Sequence, residues 1–279
     1  MFLLQLKNEL WKLFAKKRTY IGFGMFVLAQ LAVIIIFRYS GGQQKVMRDI
    51  EKTGLNAVTY FSGLTMAATI LPILAVSLLP IYAALVGGDL VSKEAEDGTL
   101  RMILSRPISR LRLLLLKWLA GLAYSGVLAL GLGFLTLLWC VLWFPRGGGM
   151  FAVVPNEGIG LFDLRTGLQH YGVAVIIMVA KSTTIMSLAF MFSCFNVKPS
   201  AATILALSLL LIDRMLAELP YLADLRPWFL AHYLNVWQTL FAGPPAWWRI
   251  GQALCVMSGA TLSFFIIGLT AFYTRDIKS

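Results

Sequence analysis

Residues able to do chemistry are sparse in this chain. Asp89, Glu94, Glu96 and Asp97 make the only dense cluster of acids, while His170 and His232 stand alone outside the long apolar runs. Cys140, Cys194 and Cys255 are scattered, each inside an apolar run, and Lys181 and Asp213 interrupt two others. Hydrolysis would need a serine activated by a neighbouring histidine, and neither histidine has a sequence-level partner in a Gly-x-Ser-x-Gly elbow. Ser125 and Ser258 read instead as helix-contact residues. The cysteines fit neither a disulfide framework nor metal-ligand spacing. Gly147-Gly148-Gly149 is not followed by the Lys-Ser or Lys-Thr of a phosphate loop, and no complete Gly-x-x-x-x-Gly-Lys-[Ser/Thr] occurs anywhere. The expectation is a chain with no catalytic group, metal or cofactor of its own.

The elements that hold these residues are set by composition. At 279 residues, 59% hydrophobic and 13% charged, with mean hydropathy +0.78, the chain reads as an all-α integral membrane protein and not as a soluble domain. Its net charge of +11 lies in lysines and arginines beside apolar runs, which suits topology signals and lipid headgroups better than nucleic acid. Six runs are long enough to cross about 30 Å of hydrocarbon: Tyr20–Phe37, Tyr60–Val86, Leu113–Phe144, Tyr171–Phe195, Ser200–Leu219 and Ile250–Tyr273. Before them, Leu3, Leu6, Leu10, Leu13 and Phe14 recur at helical spacing across residues 1–18, which predicts an amphipathic helix in the membrane interface. This start lacks the pattern of a cleavable signal peptide, so the first span is expected to serve as its own targeting signal.

Six crossings put both termini on one side. Lys7, Lys12, Lys16, Lys17, Arg18, Lys93, Arg101, Arg106, Arg110, Arg112, Lys117, Lys198, Arg275 and Lys278 fall on that side, against Arg38, Lys45, Arg48, Lys52, Arg146, Arg165, Arg214, Arg226 and Arg249 on the other. The bias predicts cytoplasmic termini. Pro72 and Pro80 predict kinks in the second span, and the third run exceeds a simple crossing. Residues 145–170 read as a polar, glycine-rich external loop. Residues 220–249, rich in tryptophan, tyrosine and phenylalanine, read as helices lying at or dipping into the outer interface, or as an aromatic belt. Lys181 and Asp213 are nearly equidistant from the turn at Asn196–Pro199. They therefore reach a similar depth, which suggests an intramembrane ion pair; the alternative is a Lys181 that snorkels or faces a wet translocation path.

The stretch that organises the rest is 87–112, between the second and third spans. Its carboxylates must lie in water, and Leu100, Met102, Ile103 and Leu104 then need a surface to cover them, which makes it a docking element. An acidic pair, Gly98-Thr99-Leu100, a short apolar run, Pro107, Ser109, Arg110 and then Lys117 together resemble the first cytoplasmic loop of ABC transporter permeases of the type-2, exporter-like class. The resemblance implies a single transmembrane permease domain over 1–279, with an elbow helix at 1–18, a cytoplasmic coupling loop at 87–112 and an external re-entrant segment at 220–249. It implies two separate ATPase subunits that hold ATP and magnesium, a second permease copy or relative, membrane lipids as neighbours, a cell-membrane location and export.

By the same resemblance, Glu94 and Glu96 would contact the ATPase or the basic residues of the elbow helix. Gly98 would allow a turn, Thr99 would cap the residues after it, and Leu100, Ile103 and Leu104 would form the apolar dock. Pro107 and Ser109 would mark the restart into the third span, and Arg110 would anchor at the headgroups. Two other functions stay open at this level. An ion-gradient-driven secondary transporter would be expected to show paired repeats and intramembrane carboxylates, of which only Asp213 is found; an intramembrane hydrolase lacks its constellation. No residue signals a cargo.

Overall fold

The computed structural model describes residues 2–15, 17–54, 56–104, 109–154 and 157–274. Among these, six helices are long and apolar enough to span a membrane. The amphipathic α1, Phe2–Ala15, precedes the first span, α2, Lys17–Tyr39. Then come α3, Gly42–Lys52, a short α4, Ala57–Tyr60, and the second span, α5, Gly63–Glu96. A one-turn helix, α6, Thr99–Leu104, leads to the third span, α7, Arg110–Trp143. The fourth, fifth and sixth spans are α8, Leu164–Cys194, α9, Pro199–Glu218, and α11, Trp247–Thr274; α10, Leu230–Leu234, lies between the last two.

The hub is α8, which packs against α5, α7, α9 and α11 and is the most deeply buried of the spans. Lipid supplies no hydrophobic drive between helices, so association rests on close packing and interhelical hydrogen bonds. Both are found here. Ser182 Oγ donates to the Ser125 carbonyl at 2.9 Å and Trp118 Nε1 donates to Ser187 Oγ at 2.9 Å, joining α8 to α7. Thr184 and Thr261 share a hydroxyl pair at 3.0 Å, joining α8 to α11. Gln30 Nε2 donates to the Leu132 carbonyl at 3.0 Å, seating α2 on α7.

The tightest crossing is between α5, α8 and α9. A side chain at Gly87 would collide with the Met186 carbonyl of α8, and one at Gly88 with Thr203 of α9. Immediately beyond, Ser193 Oγ accepts from the backbone N–H groups of Val91 and Ser92 at 3.0 and 2.9 Å, and the Ser92 hydroxyl donates to the Ser193 carbonyl at 3.0 Å. Two glycines thus let a neighbouring serine reach the backbone of α5.

Several features differ from the sequence expectation. The second span does not end near Val86: α5 runs on without a break through Gly87, Val91 and Glu94 to Glu96, so the first half of the expected loop is helix, buried along α8. At about 1.5 Å per residue its 34 residues measure about 50 Å, well beyond the hydrocarbon layer. Pro72 and Pro80 lie inside this continuous helix. The stretch after α7, expected to be an external loop, is not only loop. β1, Met150–Val154, and β2, Gly158–Phe162, pair antiparallel from Met150 opposite Phe162 to Val154 opposite Gly158. Val153 and Val154 supplied a β signal that the neighbouring glycines obscured.

The hairpin is tied down at both ends. Phe151 N donates to Thr65 Oγ1 at 3.0 Å, and Arg249 at the start of α11 grips Glu157 with both guanidinium nitrogens at 3.0 and 3.2 Å. The aromatic segment divides in two. Trp237 and Phe241, in a 3₁₀ turn over Val236–Phe241, are buried core residues; Tyr221, Trp228, Trp247 and Trp248 are exposed, as an interfacial belt requires.

Because the Gly87 crossing leaves no room for a side chain, Gly87→Val loses about 1–3 kcal/mol through overpacking against backbone. Gly131→Ala, where the added methyl meets open space, is neutral or gains up to about 1 kcal/mol of helix propensity. Thermal melts of the purified variants in detergent separate the two, and equal melting temperatures would remove the close-approach account.

Candidate functional site

Two places combine charge with burial. The first lies where α1, α5 and α7 meet. Lys117 of α7 is only 1% exposed; its Nζ stands 2.6 Å from Glu94 Oε1 of α5 and 3.2 Å from Glu9 Oε2 of α1. Lys12, half exposed, reaches Glu9 Oε1 at 2.7 Å from the solvent side. Two cations and two carboxylates therefore balance in one cluster that crosses three helices. Burial pushes the Glu9 carboxyl up, but Lys117 and then Lys12 pull it further down, so it titrates below its ordinary range. Sequence reasoning offered Glu94 to the ATPase or to basic residues of the elbow helix. Its partner is the lysine at the start of the third span, with an elbow acid on the other side. Glu9 was overlooked, although it is the lone acid among the amphipathic helix's lysines, and that isolation was its signal.

Beyond the cluster, the tip of α5 is solvent-facing. Glu96, Asp97 and Gly98 are exposed; Gly98 takes φ +71° and its N–H donates to the Ala95 carbonyl at 3.3 Å, a left-handed helix end suited to glycine. The Thr99 hydroxyl donates back to the Glu94 carbonyl at 3.2 Å and closes the end of α5. Leu100 is 3% exposed and packs into the chain's own core, so it braces α6, while Met102 is exposed at 66%. The side chains of Ile103 and Leu104, and Pro107 altogether, lie outside the described residues. Ser109 caps α7 by accepting from Arg112 N at 3.4 Å, and Arg110 Nη1 donates to the Tyr273 carbonyl at 3.3 Å near the end of α11.

The second place is a cavity of about 330 Å³ between α5, α8, α9 and α10, lined by Val76, Ser77, Pro80, Ile81, Lys181, Ile185, Leu207, Leu210, Leu211, Arg214, Ala231, Leu234 and Asn235. The expected Lys181–Asp213 pair is not formed. Lys181 Nζ donates to Asn235 Oδ1 at 2.9 Å, while Asp213 accepts from the backbone N–H groups of Leu230 and Ala231 at 3.2 and 2.5 Å, capping α10. Position along two antiparallel helices fixes depth but not azimuth, which turns about 100° per residue, so equal depth did not make the two side chains face each other. Arg214 pairs with Glu218 one turn on, at 3.0 Å on the exposed side. A second, polar cavity of about 510 Å³ adjoins on the side of the segment between α9 and α11 and shares Arg214, Ala231 and Asn235 with the first.

Six spanning helices and an interfacial helix pinned by ion pairs define a multi-pass, all-α membrane protein with a cavity among its spans. The family model of the ABC-2 family transporter proteins matches residues 6–277, and the chain belongs to that family. It is a membrane subunit of an ABC transporter. No curated protein matches the chain.

Two measurements test the cluster. Lys117→Met leaves Glu9 and Glu94 without their shared counter-ion and costs about 3–5 kcal/mol of stability, read as a lowered detergent melting temperature. The lowered Glu9 pKa carries a definite sign: its stabilisation is complete above the ordinary carboxylate value and fades as pH falls through the folded value. The melting advantage of the wild type over Glu9→Gln is therefore constant near neutrality and shrinks only below pH 4.5.

Proposed function

We propose that the chain is the permease subunit of an ATP-driven ABC exporter in the cell membrane, with both termini cytoplasmic. It works with two separate ATPase subunits, which hold the ATP and magnesium, and with a second permease, identical or related. The observation that carries the proposal is the continuity of α5 from the cavity wall at Val76–Ile81 to the acidic tip at Glu96–Gly98. From Ile81 to Glu96 the helix has no proline, and Ser193 and the Lys117 cluster clasp it on its buried side. A push on the tip reaches Pro80 as a rigid displacement. At Pro80 and Pro72 the missing backbone hydrogen bonds let the helix bend, at the level where the cavity lies.

Within this mechanism the residues divide by role. Glu96 and Asp97, with Met102 nearby, form the surface offered to the ATPase. Glu94, Gly98, Thr99 and Leu100 hold that surface onto α1, α5 and α7, and Ser109 and Arg110 fix the restart of α7. Ile103, Leu104 and Pro107 are assigned to the dock by the family resemblance. The exposed apolar faces of α5, at Ile73, Ile81 and Leu85, and of α9, at Ile204, Leu205 and Leu211, are the surfaces offered to the second permease; Ile81 and Leu211 also line the cavity. Closure of the ATPases would drive the two α5 tips together and alternate the access of the cavity between them. The positive-inside bias supports the orientation.

Charge reversal at the two acids separates surface from brace. Glu96→Lys lowers ATPase co-purification and cargo-dependent ATP turnover about tenfold or more while the melting temperature stays that of the wild type, a loss typical of removing charge-assisted contacts. Glu94→Lys lowers the melting temperature itself, because it sets two ammonium groups against each other in a buried site. Wild-type assembly and turnover in Glu96→Lys would overturn the docking assignment.

A further inference from the structure

Lys181 is 4% exposed in the middle of the hub helix, where an ammonium costs about 2.5–3.5 kcal/mol on insertion scales. It carries three N–H donors, and Asn235 Oδ1 is its one hydrogen-bond partner among the described residues. No described carboxylate forms a salt bridge with it: Asp213 is held by the N–H groups of α10, and Glu218 is turned to the exposed side of Arg214. Lys181 and Arg214 are the charged residues that line the cavity; Glu218, outside that lining, answers Arg214, which leaves the Lys181 charge as the surplus. A neutral occupant would leave that surplus unmet in an apolar surround.

The remaining wall is apolar. Only Ser77 and Asn235 add polar side chains to the two cations, and Ser77 already donates its hydroxyl to the Ile73 carbonyl at 2.8 Å. Arg214 and Asn235 stand at the boundary with the polar outer cavity, so the charged end of the space faces water and the other end faces methyl groups. A small inorganic anion would match the first end and leave the second wet. We propose that the cavity binds an amphiphile with a single anionic head, the head held between Lys181 and Arg214 and the chain laid along Val76, Ile81, Ile185 and Leu207. Regarding that amphiphile as the transported cargo rests on the exporter reading; the binding does not.

Equilibrium binding of dodecyl phosphate to the purified full-length chain, in neutral maltoside micelles without nucleotide, tests the site. Dodecyl phosphate binds the wild type, while dodecanol and inorganic phosphate fail to compete with it. Lys181→Met weakens binding about tenfold or more, the loss of one charge-assisted hydrogen bond. Asn235→Asp does the same by supplying an internal counter-ion that occupies Lys181, and it keeps the fold because the new pair is neutral; this variant decides the matter should Lys181→Met fail to fold. Wild-type affinity in Asn235→Asp, or equal competition by dodecanol, overturns the proposal. Displacement by dioleoyl phosphatidate but not by dioleoyl phosphatidylcholine assigns the site to a membrane lipid headgroup, and no displacement by either assigns it to a free single-chain anion. Stimulated ATP turnover of the permease–ATPase complex is read separately: binding without stimulation sinks the cargo role and leaves the site standing.

Discussion

An ammonium sealed at 1% exposure must find its counter-charge within the protein, and the end of the molecule around Lys117 is arranged to provide it. Glu94 arrives from α5 and Glu9 from α1, so a single lysine at the foot of α7 fixes three helices at once. One carboxylate would have neutralised Lys117; two leave a surplus that Lys12 answers from the interface. The amphipathic helix is therefore held to the bundle by charge as well as by its apolar face, and Phe14 adds a ring contact to Tyr124 of α7 at 5.3 Å. A helix attached only by its apolar face would be free to slide in the headgroup layer. Here its position is registered against the foot of the second span.

The same helix meets opposite demands at its two levels. Near Gly87 and Gly88, α5 has no side chains to hold α8 and α9 away, and Ser193 bonds its backbone directly. Around Val76 to Ile81 the helix carries two prolines within reach, and the packing opens into the cavity. Close contact on one stretch and open space on the next thus follow each other along one continuous helix. The glycines let α5 lie directly against α8 and α9, while Pro80, which lacks a backbone donor, makes the helix easiest to bend beside the cavity.

Much of this was legible in the residues. Hydropathy located every span, because a bilayer permits few alternatives to helices and twenty apolar residues cannot hide elsewhere. Helix limits were less legible: Gly87-Gly88 and the acids after them looked like a loop, whereas α5 continues because α8 buries that face and the charges emerge only at its tip. Leu100 shows the limit of an argument from exposure. An apolar residue in a charged segment needs cover, but sequence cannot say whether the cover is a partner or the chain itself. Lys181 meets an acceptor, as a buried ammonium must, but Asn235 lies 54 residues further on, in a segment whose fold over α8 no periodicity predicts. A neutral amide was also harder to suspect than an acid.

The choice of an amide has a physical consequence. An aspartate at 235 would satisfy Lys181 completely and close the site electrostatically, whereas Asn235 offers one uncharged acceptor and leaves the positive charge to attract an anion. The amide sits on the segment that connects α9 to α11 and not on a spanning helix, so whatever competes for Lys181 also competes with the hold of that segment on α8. Ligand occupancy and the packing of the outer segment are then two sides of one equilibrium, linked through a single ammonium. By reciprocity, any motion of α5 or α9 that draws the outer segment away from α8 frees Lys181, and any anion that takes Lys181 loosens the segment by the same free energy.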